Sequence, residues 1–387
     1  MTTSVVPLPT GGSSFRLDSS THPAISGNWS ISGAPCHEGL ANGMTVAIIN
    51  SGALSATVLP GRGMGLWKML GSGHEIGWQS PVRHGPVHPA YVNASRRGSI
   101  GWLDGFDELL CRCGLAFNGP PGKDDDGREI TLHGRIANLP AWKLEAHITT
   151  GSSPSVSIVG IVDECALFDT CLRLTTTYTM IPGESIIHIT DTVENIGASP
   201  AEFQLLYHLN IGVPFLKPGS KAHVRFREMA PQTTRAAEGI HTWQNYEAPT
   251  TGFSEQVYLF RPEPDANGNG LAVLERPDGQ AALAVKFPVA NLPSFTLWKN
   301  TGAIADGFVT GLEPATGFPN FKSYERKQQR IPILAPGATW NATWSMELAA
   351  NSERVQELVS NTTCKGTVFP NPSPGFSPQG EQSTGSS

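Results

Sequence analysis

Short runs of β-branched and aromatic residues, broken again and again by Gly and Pro, are the feature that most restricts this chain. Residues 45–49, 155–162, 172–180, 185–193 and 256–260 are such runs, rich in Val, Ile, Thr and Tyr. Side chains branched at Cβ suit a pleated surface and crowd a helix, so each run reads as a strand. With 42 Gly and 31 Pro in 387 residues, turn formers recur too often for long amphipathic helices. Only residues 352–359, where Glu353, Val355 and Leu358 fall near helical spacing, and part of 104–110 suggest helical turns. Many strands without βα alternation point to an all-β antiparallel sandwich or barrel-like sandwich.

All-β folds often run to roughly 200–250 residues or more as one unit, so a single large domain is the simplest division. The sequence predicts a loosely packed Ser/Thr/Gly/Pro-rich arm over residues 1–25, one sandwich domain over 26–365 and a disordered tail over 366–387. A formal net charge of −6 provides no basic field for a phosphate backbone, which excludes nucleic acid as the expected partner. No stretch approaches the roughly 18 consecutive apolar residues of a membrane span. The N-terminus also lacks the apolar core of a signal peptide, so the expectation is a cytoplasmic protein without membrane attachment. The six cysteines are spread too widely for a disulfide framework; Cys111 and Cys113 share one face of a strand and are expected to pack as small hydrophobes, not to hold metal. The acidic loop over residues 118–127 lacks the alternating ligands and terminal Glu of a calcium loop and reads as a solvated turn.

Three polar signatures carry the chemistry: Thr131-Leu132-His133-Gly134-Arg135, Tyr207-His208-Leu209-Asn210, and Gly311-Leu312-Glu313-Pro314-Ala315-Thr316 continuing to Asn320. Two imidazoles and a carboxylate are sufficient to open a sugar ring, which needs one proton given to the ring oxygen and one taken from the anomeric hydroxyl. His208 and Asn210 share a strand face, so the amide is expected in the same pocket as the imidazole. Glu313 stands just before Pro314, where a strand must end or bulge, and can project into a cleft. Trp298 offers an aromatic surface for a sugar and Lys299 a cation for a hydroxyl or acidic substituent.

The order of these signatures resembles the aldose 1-epimerase, or galactose mutarotase-like, superfamily. Pro60-Gly61-Arg62-Gly63-Met64, Gly105-Phe106-Asp107-Glu108-Leu109-Leu110 and Leu132-His133-Gly134-Arg135-Ile136-Ala137-Asn138-Leu139-Pro140 are similar to a poorly characterised branch of it, over roughly residues 30–350. The resemblance implies a galactose mutarotase-like antiparallel β-supersandwich and an isomerase that interconverts sugar anomers at C1 without metal or other cofactor. It implies Glu313 as general base on the anomeric hydroxyl, His208 as general acid on the ring oxygen, and His133 as a donor near that oxygen. Arg62 resembles an arginine that contacts sugar hydroxyls. Two flanks depart from the superfamily pattern: Arg135 follows His133-Gly134, and His208 is followed by Leu-Asn. Arg135 and Lys299 are therefore candidate contacts for an acidic or phosphorylated sugar. The sequence offers no clear acidic residue for distal sugar hydroxyls. Two other readings fit the same scaffold: a carbohydrate lyase or hydrolase, with Tyr207 or with Asp104, Asp107 and Glu108 as weaker candidates, and a non-catalytic sugar-binding module.

Overall fold

The computed structural model describes residues 2–382 and gathers the expected strands into two large sheets. One sheet has nine strands, in the order Thr2–Leu8, Lys143–Thr150, Ser155–Cys165, Cys171–Met180, Ile186–Asn195, Thr339–Ala349, Ala282–Pro288, Asn269–Glu275 and Lys221–Val224. The other has thirteen; its middle runs Gly65–Gly71, Leu110–Cys113, Leu206–Gly212, Phe308–Ala315, Ser294–Thr301 and Gln256–Pro262. Large-sheet pairings are antiparallel except where Thr367–Val368 lies parallel to Phe226–Pro231. Apolar side chains from both sheets, among them Ile31, Val58, Val156, Ile189, Tyr207 and Leu312, form one continuous core.

Burial along the strands separates scaffold from site. Cys171–Met180 and Ile186–Asn195 bury every second residue, the alternation of a sheet with one wet face. Leu206–Gly212 and Phe308–Ala315 are buried at every position, so both of their faces are covered. On the inner face, Leu205, Tyr207, Leu209 and Leu312 enter the core between the sheets. On the outer face, Leu206, Cys111, Cys113 and Ala315 join a second cluster with Trp78, Trp102 and Phe106. The two cysteines pack there as small hydrophobes. Arg112 points the opposite way, between the sheets, and grips Asp191 with two hydrogen bonds of 2.6 and 3.0 Å. Both are fully buried, so the planar, bidentate pairing offsets the desolvation of two charges and fixes one sheet against the other.

Both ends of the chain differ from expectation. The predicted loose arm contains two edge strands: Thr2–Leu8 pairs with Lys143–Thr150, and Phe15–Asp18 pairs with Ser30–Pro35. Edge positions reward backbone hydrogen bonding and only one apolar side, which a Ser/Thr-rich composition does not reveal. The predicted disordered tail is packed through its described part. Phe376 is buried beside Phe318 and Phe369, and the Gly375 carbonyl accepts from Arg261 and Arg330. A few aromatics anchor this segment where averaged composition shows only polar residues; residues 383–387 lie outside the described part. A helix does form at Ser352–Ser360, its first turn capped by the Asn351 side chain. The other predicted turn is a 3-10 turn at Gly101–Gly105, which overlaps the start of the predicted stretch, and a helix that the sequence did not suggest forms at Lys322–Lys327. In the acidic loop Asp124 and Asp125 pair with Arg326, and Asp126 with Arg128. No helix among the described residues is long and apolar enough to cross a membrane.

Candidate active site

A cavity of about 430 Å³ opens on the outer face of the thirteen-stranded sheet, and His133, His208 and Glu313 all stand on its wall. The strand register explains how two of them meet. Leu206–Gly212 and Phe308–Ala315 are neighbours with Leu209 opposite Leu312. His208 and Glu313 therefore emerge side by side on the same face, with Nε2 3.4 Å from Oε1. Gly311 makes room for the carboxyl: a Cβ there would fall 2.1 Å from Glu313 Oε1.

The tautomer of His208 follows from its partners. Asn210 Nδ2 donates to the carbonyls of Glu108 and His208, which leaves its Oδ1 to face His208 Nδ1 at 2.7 Å. Only a protonated Nδ1 can donate there, so Nε2 is the nitrogen that exchanges protons with the cavity. Asn210 is thus behind the imidazole and off the cavity wall, a correction to its expected place among the substrate contacts.

His133 comes from a loop. Its backbone is left-handed, with φ 57°, and Gly134 follows at φ 73°. A Cβ on Gly134 would lie 2.3 Å from the Phe117 carbonyl and 2.4 Å from that of Gly114, so this turn requires glycine. The imidazole Nδ1 donates to the Asn118 carbonyl at 2.7 Å, leaving Nε2 for the cavity. The two imidazoles are 5.6 Å apart between centroids, and Trp102 lies 4.7 Å from His133. Phe106 and Trp298 complete an aromatic enclosure round His208, at 5.1 and 5.3 Å.

Burial governs the charges. It brings His208 down to about 3, helped by the neighbouring His133 and opposed by the Asn210 hydrogen bond. It brings His133 down to about 4, opposed by the Asn118 carbonyl. It drives Glu313 well above the usual carboxylate range, with the Glu255 charge acting in the same direction. His133 is therefore neutral and presents an acceptor to the cavity, whereas the sequence expectation made it a donor. Burial thus favours the neutral forms of both Glu313 and His208, which puts one proton on the pair, on the carboxyl.

Three further expected contacts are not brought to the cavity. Arg62 is spent within the scaffold, where Glu108 at 2.6 Å, Asn138 and the Gly105 carbonyl engage its guanidinium. Lys299 is next to Trp298 on one strand and so faces the other way, donating to the Asn245 carbonyl at 2.7 Å. Arg135 is exposed and lines a separate cavity with Arg128 and Glu164. Of the substrate contacts expected from sequence, only Trp298 lines the site, and no Lys or Arg does so among the described residues. An acidic or phosphorylated sugar thereby loses the cations proposed for it. Tyr207 packs on Trp344 in the core, 4.7 Å between centroids, and Asp104, Asp107 and Glu108 are absent from the wall.

Sequence reasoning missed Glu255, which lines the cavity at an exposed position and accepts from the Trp298 indole at 2.7 Å. Its local sequence, Phe253-Ser254-Glu255-Gln256, carries no signal beyond one acid before a strand. Trp102, Phe106, Thr296 and Gln232 also line the site. The Gly- and aromatic-rich segment over 98–106 was the one hint of Trp102 and Phe106.

Two antiparallel sheets, with a His and a Glu delivered side by side from central strands, place this protein in the galactose mutarotase-like fold class. The chain belongs to the family described as a domain of unknown function, DUF4432, whose model matches residues 41–348. It is similar to a crystal structure from Klebsiella pneumoniae subsp. pneumoniae whose name, aldose 1-epimerase, is provisional. The two are 30% identical with a TM-score of 0.90, over 96% of this chain and 99% of that one. More distant likeness links it to a galactose mutarotase-like protein of Clostridium acetobutylicum, 14% identical with a TM-score of 0.54 over 79% of this chain and 95% of that one. A provisionally named aldose 1-epimerase of Escherichia coli K12 is 13% identical with a TM-score of 0.52 over 79% of this chain and 99% of that one. These last two likenesses are of fold alone. Among curated proteins none matches the sequence.

Proposed function

We propose that this protein is a carbohydrate isomerase that interconverts sugar anomers at C1 by acid–base ring opening. One observation carries the reading: a buried carboxyl and an imidazole of fixed tautomer face one cavity 3.4 Å apart, where burial favours the neutral form of each and so one proton on the pair. Ring opening removes a proton from one oxygen and adds one to another, so a pair holding one proton is returned unchanged at the end of each cycle. Sugar hydroxyls donating to Glu313 favour the tautomer with an ionised carboxylate and a protonated His208. In that state Glu313 takes the anomeric proton while His208 Nε2 gives its proton to the ring oxygen. The bond between C1 and the ring oxygen breaks as the C1 carbonyl forms; rotation about the C1–C2 bond and the reverse steps yield the other anomer. His133, neutral, accepts a hydroxyl close by. Trp298 and Phe106 offer apolar surface to the sugar ring.

The name of the Klebsiella protein supports this reading. Exchange spectroscopy of sugar anomers tests it. Glu313→Gln and His208→Asn are each expected to slow interconversion by about 10²–10⁴-fold. Parent-like rates in both variants would refute the mechanism. A glycoside hydrolase reading draws on Glu255 as a second carboxylate on the cavity. Release of the leaving group from a chromogenic glycoside, without anomer exchange of the free sugar, would favour it.

A further inference from the structure

A buried polar atom without a partner is uncommon, and in a binding site it marks where a ligand supplies the missing hydrogen bond. Two such atoms meet at the cavity just described: the indole Nε1 of Trp102 and the hydroxyl of Thr296. Trp102 and Thr296 are each 1% exposed, so bulk water does not satisfy them.

Thr296 is the more closely placed. It lies on Ser294–Thr301, directly opposite Glu313 on Phe308–Ala315. Directly opposed residues leave an antiparallel sheet on the same face, with Cβ atoms about 4.5–5.5 Å apart. The branched side chain is stiff about χ1, so its hydroxyl points in a preset direction. A threonine hydroxyl both donates and accepts and carries no charge, which matches a sugar hydroxyl.

We propose that Thr296 binds the hydroxyl on C2, the carbon beside the reacting centre, and is the residue by which the site tells a 2-hydroxy aldose from its 2-deoxy counterpart. The assignment rests on the proposed engagement of the anomeric hydroxyl by Glu313. Hydroxyls on C1 and C2 are neighbours on the sugar, as Glu313 and Thr296 are neighbours across the strands. A 2-deoxy sugar leaves the Thr296 hydroxyl buried and unpaired, the condition under which a polar site discriminates most strongly.

The test titrates galactose, glucose and ribose, each against its 2-deoxy partner, by tryptophan fluorescence, with anomer exchange measured in parallel. The parent protein should bind at least one 2-hydroxy sugar about tenfold more tightly than the 2-deoxy form. Thr296→Val should bring that ratio close to one, and Thr296→Ser should restore most of it. A ratio that survives in Thr296→Val, or is absent from the parent protein, overturns the assignment. So does an equal loss for both sugars of a pair, which would make Thr296 a positioning residue for Glu313. Binding that discriminates at C2 without anomer exchange sustains the role of Thr296 and refutes the isomerase reading. Anomer exchange without preference at C2 does the opposite.

Discussion

Replacing Glu313 by Gln should change how folding stability depends on pH, because the folded and unfolded proteins hold different numbers of protons at this pair. Folded, Glu313 is raised well above 4.5 and His208 is lowered from 6.5 to about 3, so the pair holds one proton, on the carboxyl, until the carboxyl titrates. Unfolded, the same groups hold two protons below 4.5, one between 4.5 and 6.5, and none above. A raised carboxyl loses stability as pH climbs from its unfolded value; a lowered imidazole loses it as pH falls from its own. Between 4.5 and 6.5 these slopes cancel. Above that window the folded pair keeps a proton the unfolded chain has shed. Stability then falls by about 1.4 kcal/mol for each pH unit until the carboxyl titrates. Glu313→Gln removes the first slope and leaves the second, so the variant loses stability below 6.5 and is flat above it. Urea denaturation of both proteins from about pH 5 to about pH 8 measures the difference, in which His133 and other common groups cancel. The stability of the parent relative to the variant should fall by about 1.4 kcal/mol per pH unit until the carboxyl titrates. Parallel curves would refute the shared proton and make Glu313 an ionised carboxylate at neutral pH.

Three other substitutions test separate parts of the structure. Gly311→Ala places a Cβ 2.1 Å from the Glu313 carboxyl oxygen and should cut anomer exchange at least about tenfold while the urea midpoint moves little; unaltered exchange would show that the carboxyl sits elsewhere. Asn210→Asp sets a carboxylate beside His208 Nδ1, which favours the imidazolium and should raise the His208 pKa above about 3; an unmoved imidazole titration by NMR would refute the tautomer assignment. Phe376→Ala should cost about 3–5 kcal/mol in urea denaturation, the usual range for a buried Phe; a loss below about 1 kcal/mol would mean that the C-terminal segment does not pack as described.

Much of the framework was legible because a strand has a period of two. The β-branched runs at 45–49, 155–162, 172–180 and 256–260 lie within Thr45–Asn50, Ser155–Cys165, Cys171–Met180 and Gln256–Pro262. The same period put His208 and Asn210 on one face and Tyr207 on the other. Trp298 and Lys299 were both expected as sugar contacts although adjacent strand residues face opposite ways, and the structure separates them. The arm and tail were misread because hydrogen-bonded edges and isolated aromatic anchors leave little trace in average composition.

The sequence by itself determined the all-β class and the three polar segments, since both depend on residues close together in the chain. Only the tertiary structure decided which polar groups share a cavity and which are spent elsewhere. Arg62 looked like a ligand until the fold gave it Glu108, while Glu255 and Thr296 looked ordinary until strand pairing set them beside Trp298 and Glu313. The physical reason is that a side chain's chemistry depends on its partners and its access to water. In an antiparallel sandwich those partners can come from strands far apart in the chain: His208 and Glu313 meet across neighbouring strands, and burial then favours the proton on the carboxyl.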